Sequence, residues 1–197
     1  MSTAYEETGR SRQKQRTRND LLAAARELIA ANGSAPTVEE TATAASVSRT
    51  TAYRYFGSQE ALLLAAFPAI DRPSLLPDDI GDDPRTRLLA AVETFIDEVL
   101  DTEPQQRTML RLALDRATTS DQLPLRKGRA IGWFEDALAP ALPRLGKAEV
   151  RRIAISVRSA VGIESLVWLV DVAGLTRKDA KAVMLTTARA LVADALG

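Results

Sequence analysis

Apolar residues recur at helical spacing along most of this chain, and turn-forming residues cut the recurrence into segments. Leu21, Leu22, Ala25, Leu28 and Ile29 make the first stripe, on a helix expected from Arg12 to Asn32-Gly33, a C-cap pair. Between residues 37 and 62 the segments shorten. Thr37 with Glu40 spells a capping box, and the helix it opens runs to about Ala45. Ser46 interrupts, Val47 is apolar, and Ser48 offers a second capping hydroxyl for another short helix ending at Phe56, before Gly57. A further helix over residues 58–70 places Leu62, Leu63, Ala66 and Phe67 on one side, and Pro68 ends or kinks it. Two helices this short, joined by a turn of about three or four residues, have the dimensions of a helix-turn-helix.

Residues 71–84 break the pattern with Pro73, Pro77, Gly81, Pro84 and the acids Asp78, Asp79, Asp82 and Asp83. The stretch reads as a solvated linker; hard cations favour carboxylates, but it lacks the spacing and central glycine of a calcium loop, so no metal site is assigned. Five amphipathic segments follow, at 85–101, 104–118, 125–138, 147–173 and 176–196. Strand-like alternation is absent, so the chain is predicted to be all-α, with about nine helices. Its expected parts are a disordered, basic-edged arm (1–11), a three-helix helix-turn-helix domain (12–70), the linker (71–84) and an antiparallel helical bundle (85–197).

Composition removes whole classes of chemistry. The chain has no Cys and no His, which excludes disulfides, thiol metal sites, the commonest general base and the Glu-x-x-His pairs of di-iron bundles. No Gly-rich phosphate loop or Gly-x-Ser-x-Gly elbow appears, so an enzyme is not expected, and no cofactor. No signal peptide is visible, and the apolar runs look too short to span a bilayer; a cytoplasmic protein is expected. Lys plus Arg equal Asp plus Glu at 26 each, but the distribution is uneven. Arg10, Arg12, Lys14, Arg16 and Arg18 alternate along the arm. They suit either a solubilising tail or an arm that follows a DNA backbone or enters a minor groove, with Lys14 and Arg18 as candidate contacts.

The second short helix is unusual for its length. Ala52 and Phe56 lie four residues apart and can pack inward with Val47, while Arg49, Thr50, Thr51, Tyr53, Arg54 and Tyr55 all carry hydrogen-bonding side chains without an acid among them. An ordinary amphipathic surface helix can look like this. The face also suits DNA: arginine reads guanine edges, threonine offers a hydroxyl and a methyl, and tyrosine hydroxyls reach phosphates. Arg49, Thr50 and Arg54 are the candidates for base edges, and Ser48, Thr51, Tyr53, Tyr55 and Thr37 for phosphates.

The series Thr37, Ala42, Ala45, Val47, Ser48, Thr51, Tyr53, Tyr55, Phe56, Ser58, Glu60 and Leu62 resembles the DNA-binding signature of the TetR family of transcriptional regulators. The signature covers about a quarter of the chain, and its spacing is specific. Three positions depart from it. Ser46 stands where the family has Gly, so the turn must accept a side chain; Thr41 replaces Ile; Gln59 replaces a Lys that touches phosphate, so a contact at Gln59 would lack charge. The resemblance implies a repressor that binds a palindromic operator in double-stranded DNA as a homodimer. It also implies release by a small-molecule effector held in the C-terminal domain, where binding changes the spacing of the two DNA-binding domains.

The C-terminal segments offer fainter hints. Residues 163–170 are apolar in almost every direction except at Glu164, and Val183, Met184, Leu185, Ala188, Leu191, Val192 and Ala195 give the last helix a broad apolar side. Either the preceding helices cover both, or the last two helices form a four-helix bundle across a two-fold axis; the dimer is favoured. Phe95, Met109, Trp133, Phe134 and Trp168 are candidate walls of an effector pocket, with Arg111, Arg116 and Glu164 as its polar groups. The same aromatics also fit a plain core, and Glu164 an ion pair with an arginine.

Overall fold

A computed structural model of the chain describes residues 3–66, 73–115 and 128–197, with side chains except at 3–10, 112 and 115. The ends expected for the fourth helix near residue 70 and the sixth near 118, the start of the seventh at Leu125, and Arg116 lie outside the described residues. The chain divides into two compact units, Met1–Asp71 and Arg72–Gly197. No strand occurs among the described residues.

In the first unit, α1 (Thr3–Asn32) packs on α2 (Val38–Ala44) and α4 (Gln59–Ala66), and α2 packs on α3 (Arg49–Tyr55). Helix α1 starts well before Arg12: the backbone is helical from Thr3, where the charge pattern suggested a disordered arm. Ala4, Glu6, Glu7 and Arg10 in this stretch are good helix formers, and the alternating basic residues that follow do not themselves break a helix. One face of α1 buries Leu21, Leu22, Ala24, Ala25 and Ile29, leaving Leu28 half-buried. Leu21, Leu22 and Ala25 join Val38, Ala42, Ala52, Phe56, Leu62 and Ala66 in one core. The Arg26 Nε donates to the Ala66 carbonyl at 2.6 Å, fastening α1 to the end of α4. Thr41 is fully buried, and its hydroxyl donates to the Thr37 carbonyl at 2.9 Å. A buried hydroxyl satisfied in this way costs little, which is how the core accepts threonine there.

The turn between α2 and α3 is a Schellman motif. Ser46 N–H donates to the Thr43 carbonyl at 3.1 Å, and Val47 N–H to the Ala42 carbonyl at 2.8 Å. Ser46 sits at the left-handed position with φ 54°, the one non-glycine residue with positive φ among those described.

The second unit is helical. Asp83 caps α5 (Pro84–Asp101), accepting from Thr86 N–H at 2.8 Å, so one acid of the predicted linker is a structural cap. Then come α6 (Glu103–Asp115), α7 (Arg129–Ala137), a 3₁₀ turn (Ala139–Ala141), α8 (Leu142–Leu145), α9 (Lys147–Val161), α10 (Ile163–Val167), a π-helical turn (Trp168–Val172) and α11 (Arg177–Leu196). Helix α5 packs on α7 and α11, and α9 on the same two, around Val92, Ile96, Phe134, Val157 and Met184.

The single helix expected over 147–173 is broken. Gly162 adopts an extended conformation (φ −91°, ψ −175°) between α9 and α10. A Cβ on Gly162 would lie 1.8 Å from Arg158 Nη1 and 2.6 Å from Glu164 Oε2, so glycine leaves room for the ion pair that joins them at 3.2 Å. The break also shifts the helical phase, which puts Glu164 outward between the buried Ile163 and Leu166.

Length and hydropathy alone would let Lys147–Val172 cross a bilayer, with mean hydropathy 1.7 over its most apolar window, contrary to the expectation that every apolar run is too short. Its apolar residues are used otherwise: Val150, Ile153, Val157, Val161, Ile163 and Leu166 are buried in the core.

An ion cluster centred on the buried Glu103 ties α6, the π-helical turn and α11 together. Glu103, 4% exposed, accepts from Arg177 Nε at 2.5 Å and from Arg107 Nε at 2.7 Å, and Arg107 forks onto both Asp171 oxygens at 2.6 and 2.8 Å. Burial pushes the Glu103 carboxyl up, but the hydrogen bonds from Arg177 and Arg107 outweigh it and hold the group below the usual glutamate range. The carboxylate of Asp171 raises the Arg107 guanidinium.

Candidate nucleic-acid interface

The interface is built from two caps and a turn. The side chain of Thr37 caps α2: its Oγ1 accepts from Glu40 N–H at 3.1 Å, and Glu40 Oε2 accepts from Thr37 N–H at 2.7 Å. The bonds that Thr37 N–H and the Thr37 hydroxyl donate to it hold the Glu40 carboxyl below its ordinary value. Ser48 caps α3, accepting from Thr51 N–H at 3.2 Å. Between the caps, the Schellman turn fixes the path from α2 to α3, while Ala52 and Phe56 anchor α3 from beneath.

With those residues turned inward, α3 presents Arg49, Thr50, Tyr53 and Arg54 to solvent, Arg49 with a side chain 70% exposed. Thr51 and Tyr55 are half-buried, and Tyr55 packs against the core. Of the hydroxyls expected on phosphates, those of Thr37 and Ser48 also donate within the protein, to Glu40 at 2.9 Å and to Thr51 at 2.9 Å. Gln59 is half-buried, and its amide donates to the carbonyls of Ala35 and Pro36 at 3.1 Å each, bracing the loop before α2. Lys14 is exposed on α1; Arg18 stacks over the Phe56 ring, 5.7 Å from its centroid.

Glu39 escaped the sequence reading. It lies in the first turn of α2, where its Oε1 is 2.5 Å from Arg49 Nη2 and accepts from Tyr53 Oη at 3.3 Å. A second acid beside Glu40, which the capping box already uses, was the available signal; the packing of α2 on α3 supplies the rest.

The candidate effector residues fall into separate groups. Phe95 and Phe134 pack edge to face at 5.6 Å, buried with Trp133 in the core, and Met109 is buried on α6. Glu164 and Trp168 line an open groove of about 430 Å³ with Ser165, Val183 and Thr187, and Trp168 is 59% exposed. The Arg158 guanidinium connects the two groups, 5.2 Å from the Phe95 ring centroid and paired with Glu164. Arg111 is exposed on α6.

A capped helix-turn-helix whose second helix offers an acid-free, hydrogen-bonding face defines a DNA-binding transcriptional regulator. Residues 21–66, from mid-α1 to the end of α4, match the model of the bacterial regulatory proteins, tetR family, and this chain carries that family's N-terminal helix-turn-helix. No curated protein matches the chain.

Proposed function

We propose that the protein is a homodimeric repressor that reads a palindromic operator in double-stranded DNA and leaves it when a small-molecule effector binds the C-terminal unit. The observation that carries this reading is the outward face of α3. Arg49, Thr50 and Arg54 reach base edges in a major groove, while Tyr53 and the cap residues Ser48, Thr51 and Thr37 hold the backbone. Lys14 on α1 extends the contact along the phosphates. Arg18 and Gln59 buttress this surface through the Phe56 ring and the Ala35–Pro36 carbonyls.

Dimerisation is supported by apolar surface on the last helical elements: Trp168, Val172 and Val183 are 59%, 70% and 40% exposed. Pairing this surface about a two-fold axis gives two α3 helices, as a palindromic operator requires. The reading is of a binder without catalysis, working in the cytoplasm where the DNA is.

A second reading, an effector-independent regulator, has its own observation. Phe95 and Phe134 pack edge to face in the core where the sequence suggested a cavity. In the effector-responsive reading, by contrast, the ligand enters either the Glu164–Trp168 groove or a rearranged core.

Selection of duplexes from a random pool at fixed salt tests the reading. The wild type is expected to enrich a palindrome that an Arg49→Ala, Tyr53→Ala variant does not. Enrichment of no sequence by the wild type, even at low salt, contradicts it.

A further inference from the structure

We propose that Glu39 is a specificity-determining residue: it neutralises Arg49 and, with the Tyr53 ring, orients it, so that Arg49 contributes to a correct base sequence and little to a random one. The inference rests on the reading of α3 as the base-reading helix. Its basis is a three-residue cluster. Glu39 Oε1 meets Arg49 Nη2 at 2.5 Å and Tyr53 Oη at 3.3 Å, and the Arg49 guanidinium lies over the Tyr53 ring at 5.7 Å.

The cluster does little for the fold. The Arg49 and Glu39 side chains are 70% and 45% exposed, and an exposed ion pair adds little stability. Helix α2 is already capped by Thr37 and Glu40. What the cluster changes is the charge of the reading face. Apart from this acid, the exposed cations of α3 are Arg49 and Arg54, so Glu39 cancels one of the two.

Charge and geometry act differently on the two kinds of complex. Binding to a random sequence is driven by release of counterions, and it scales with the positive charge delivered to phosphates. An Arg49 held by a carboxylate delivers almost none. Binding to a base edge depends instead on the direction of guanidinium N–H groups. The bond to Glu39 uses Nη2 and leaves the rest of the fork for a guanine, in an orientation fixed by the carboxylate and the Tyr53 ring. Glu39 therefore lowers affinity for random DNA more than affinity for the operator.

Glu39→Gln keeps the shape and removes the charge. The probes are a duplex selected by the wild type and a scrambled duplex of equal length and composition, titrated from low to moderate salt. On the scrambled duplex the variant is expected to bind about fivefold more tightly per DNA-binding domain at 0.15 M salt, with a salt slope steeper by about 0.9, the value of one added phosphate contact. On the selected duplex the gain is expected to be smaller, so discrimination falls about threefold or more. In an Arg49→Ala background, Glu39→Gln is expected to change neither affinity, because Glu39 acts through Arg49. Unchanged thermal melting of Glu39→Gln separates this from a folding defect.

Equal gains on both duplexes, or gains that persist without Arg49, overturn the proposal and leave Glu39 as a simple repeller of phosphate. No change on either duplex also overturns it. A wild type that selects no duplex refutes the reading of α3 itself, an outcome distinct from a wild type that discriminates as well as its Glu39→Gln variant.

Discussion

Ser46 is the place where the sequence strains its own turn, and replacing it by glycine should stabilise the DNA-binding unit. The residue has φ 54° and occupies the left-handed position of the Schellman motif that ends α2. A side chain in that conformation costs roughly 1–2 kcal/mol, because Cβ crowds the following carbonyl. Glycine removes that crowding but loosens the unfolded chain, which takes back about 0.4–1 kcal/mol. The net expectation for Ser46→Gly is a gain of roughly 0.5–1 kcal/mol. Ser46 is exposed, so no packing is lost. Hydrogen exchange read by mass spectrometry on peptides covering α2 and α3 isolates the effect. Protection there should rise about two- to fivefold, the Boltzmann factor of that gain, if exchange follows opening of this unit. Ser46→Ala is the control, since it keeps a Cβ and should change protection little, whereas the β-branched Ser46→Val should lower it. Equal gains for Gly and Ala would refute the conformational argument, and a loss with Gly would show that the serine hydroxyl holds the turn.

Other expectations follow from the same geometry. Glu103→Ala should destabilise the C-terminal unit by about 1–3 kcal/mol, because it strips hydrogen bonds from two arginines; Arg107 keeps Asp171, and the largely exposed Arg177 regains water. Since the Glu103 carboxyl is held below its ordinary value, its contribution is complete above the unfolded glutamate pKa of about 4.3 and is lost as pH falls through the lower folded value. Urea unfolding of wild type and Glu103→Gln should therefore differ at pH 7 and converge in acid; a gap that widens in acid would reverse the assigned sign. Trp168→Glu should raise the dimer dissociation constant by 30-fold or more, about 2 kcal/mol, in sedimentation measurements, while the monomer stays folded. An unchanged oligomer would move the interface elsewhere. Arg54→Ala should relax selection at one operator position per half-site, at about 1–3 kcal/mol, and uniform weakening on every duplex would make Arg54 a phosphate contact.

The helix-turn-helix was legible because its determinants are local. Thr37, Glu40 and Ser48 cap helices through bonds to residues three positions away, and Ala52 and Phe56 need only the helical period to find the core. Features set by distant partners were hidden. Arg18 and Gln59 look like free polar groups until the fold brings Phe56 and the Ala35–Pro36 carbonyls beside them. Glu39 reads as one more acid of a first turn until α3 packs across it. The break at Gly162 was hidden for another reason: a single glycine inside a helical period is tolerated in many helices, and here the Arg158–Glu164 pair occupies the space a side chain would need. The aromatic residues chosen for a pocket share a type but not a place, because Trp133 and Phe134 turn into the core while Trp168 sits in the π-helical turn at the surface.

Guanine-methylation interference on the selected duplex tests most directly whether two α3 helices read one palindrome. Methyl groups at guanine N7 lie in the major groove, where an arginine fork would sit. The account predicts two symmetry-related sets of interfering guanines, one helical turn or a multiple apart, with one guanine per half-site released in Arg49→Ala or Arg54→Ala. Interference confined to one half-site, or indifferent to every substitution on α3, would contradict it.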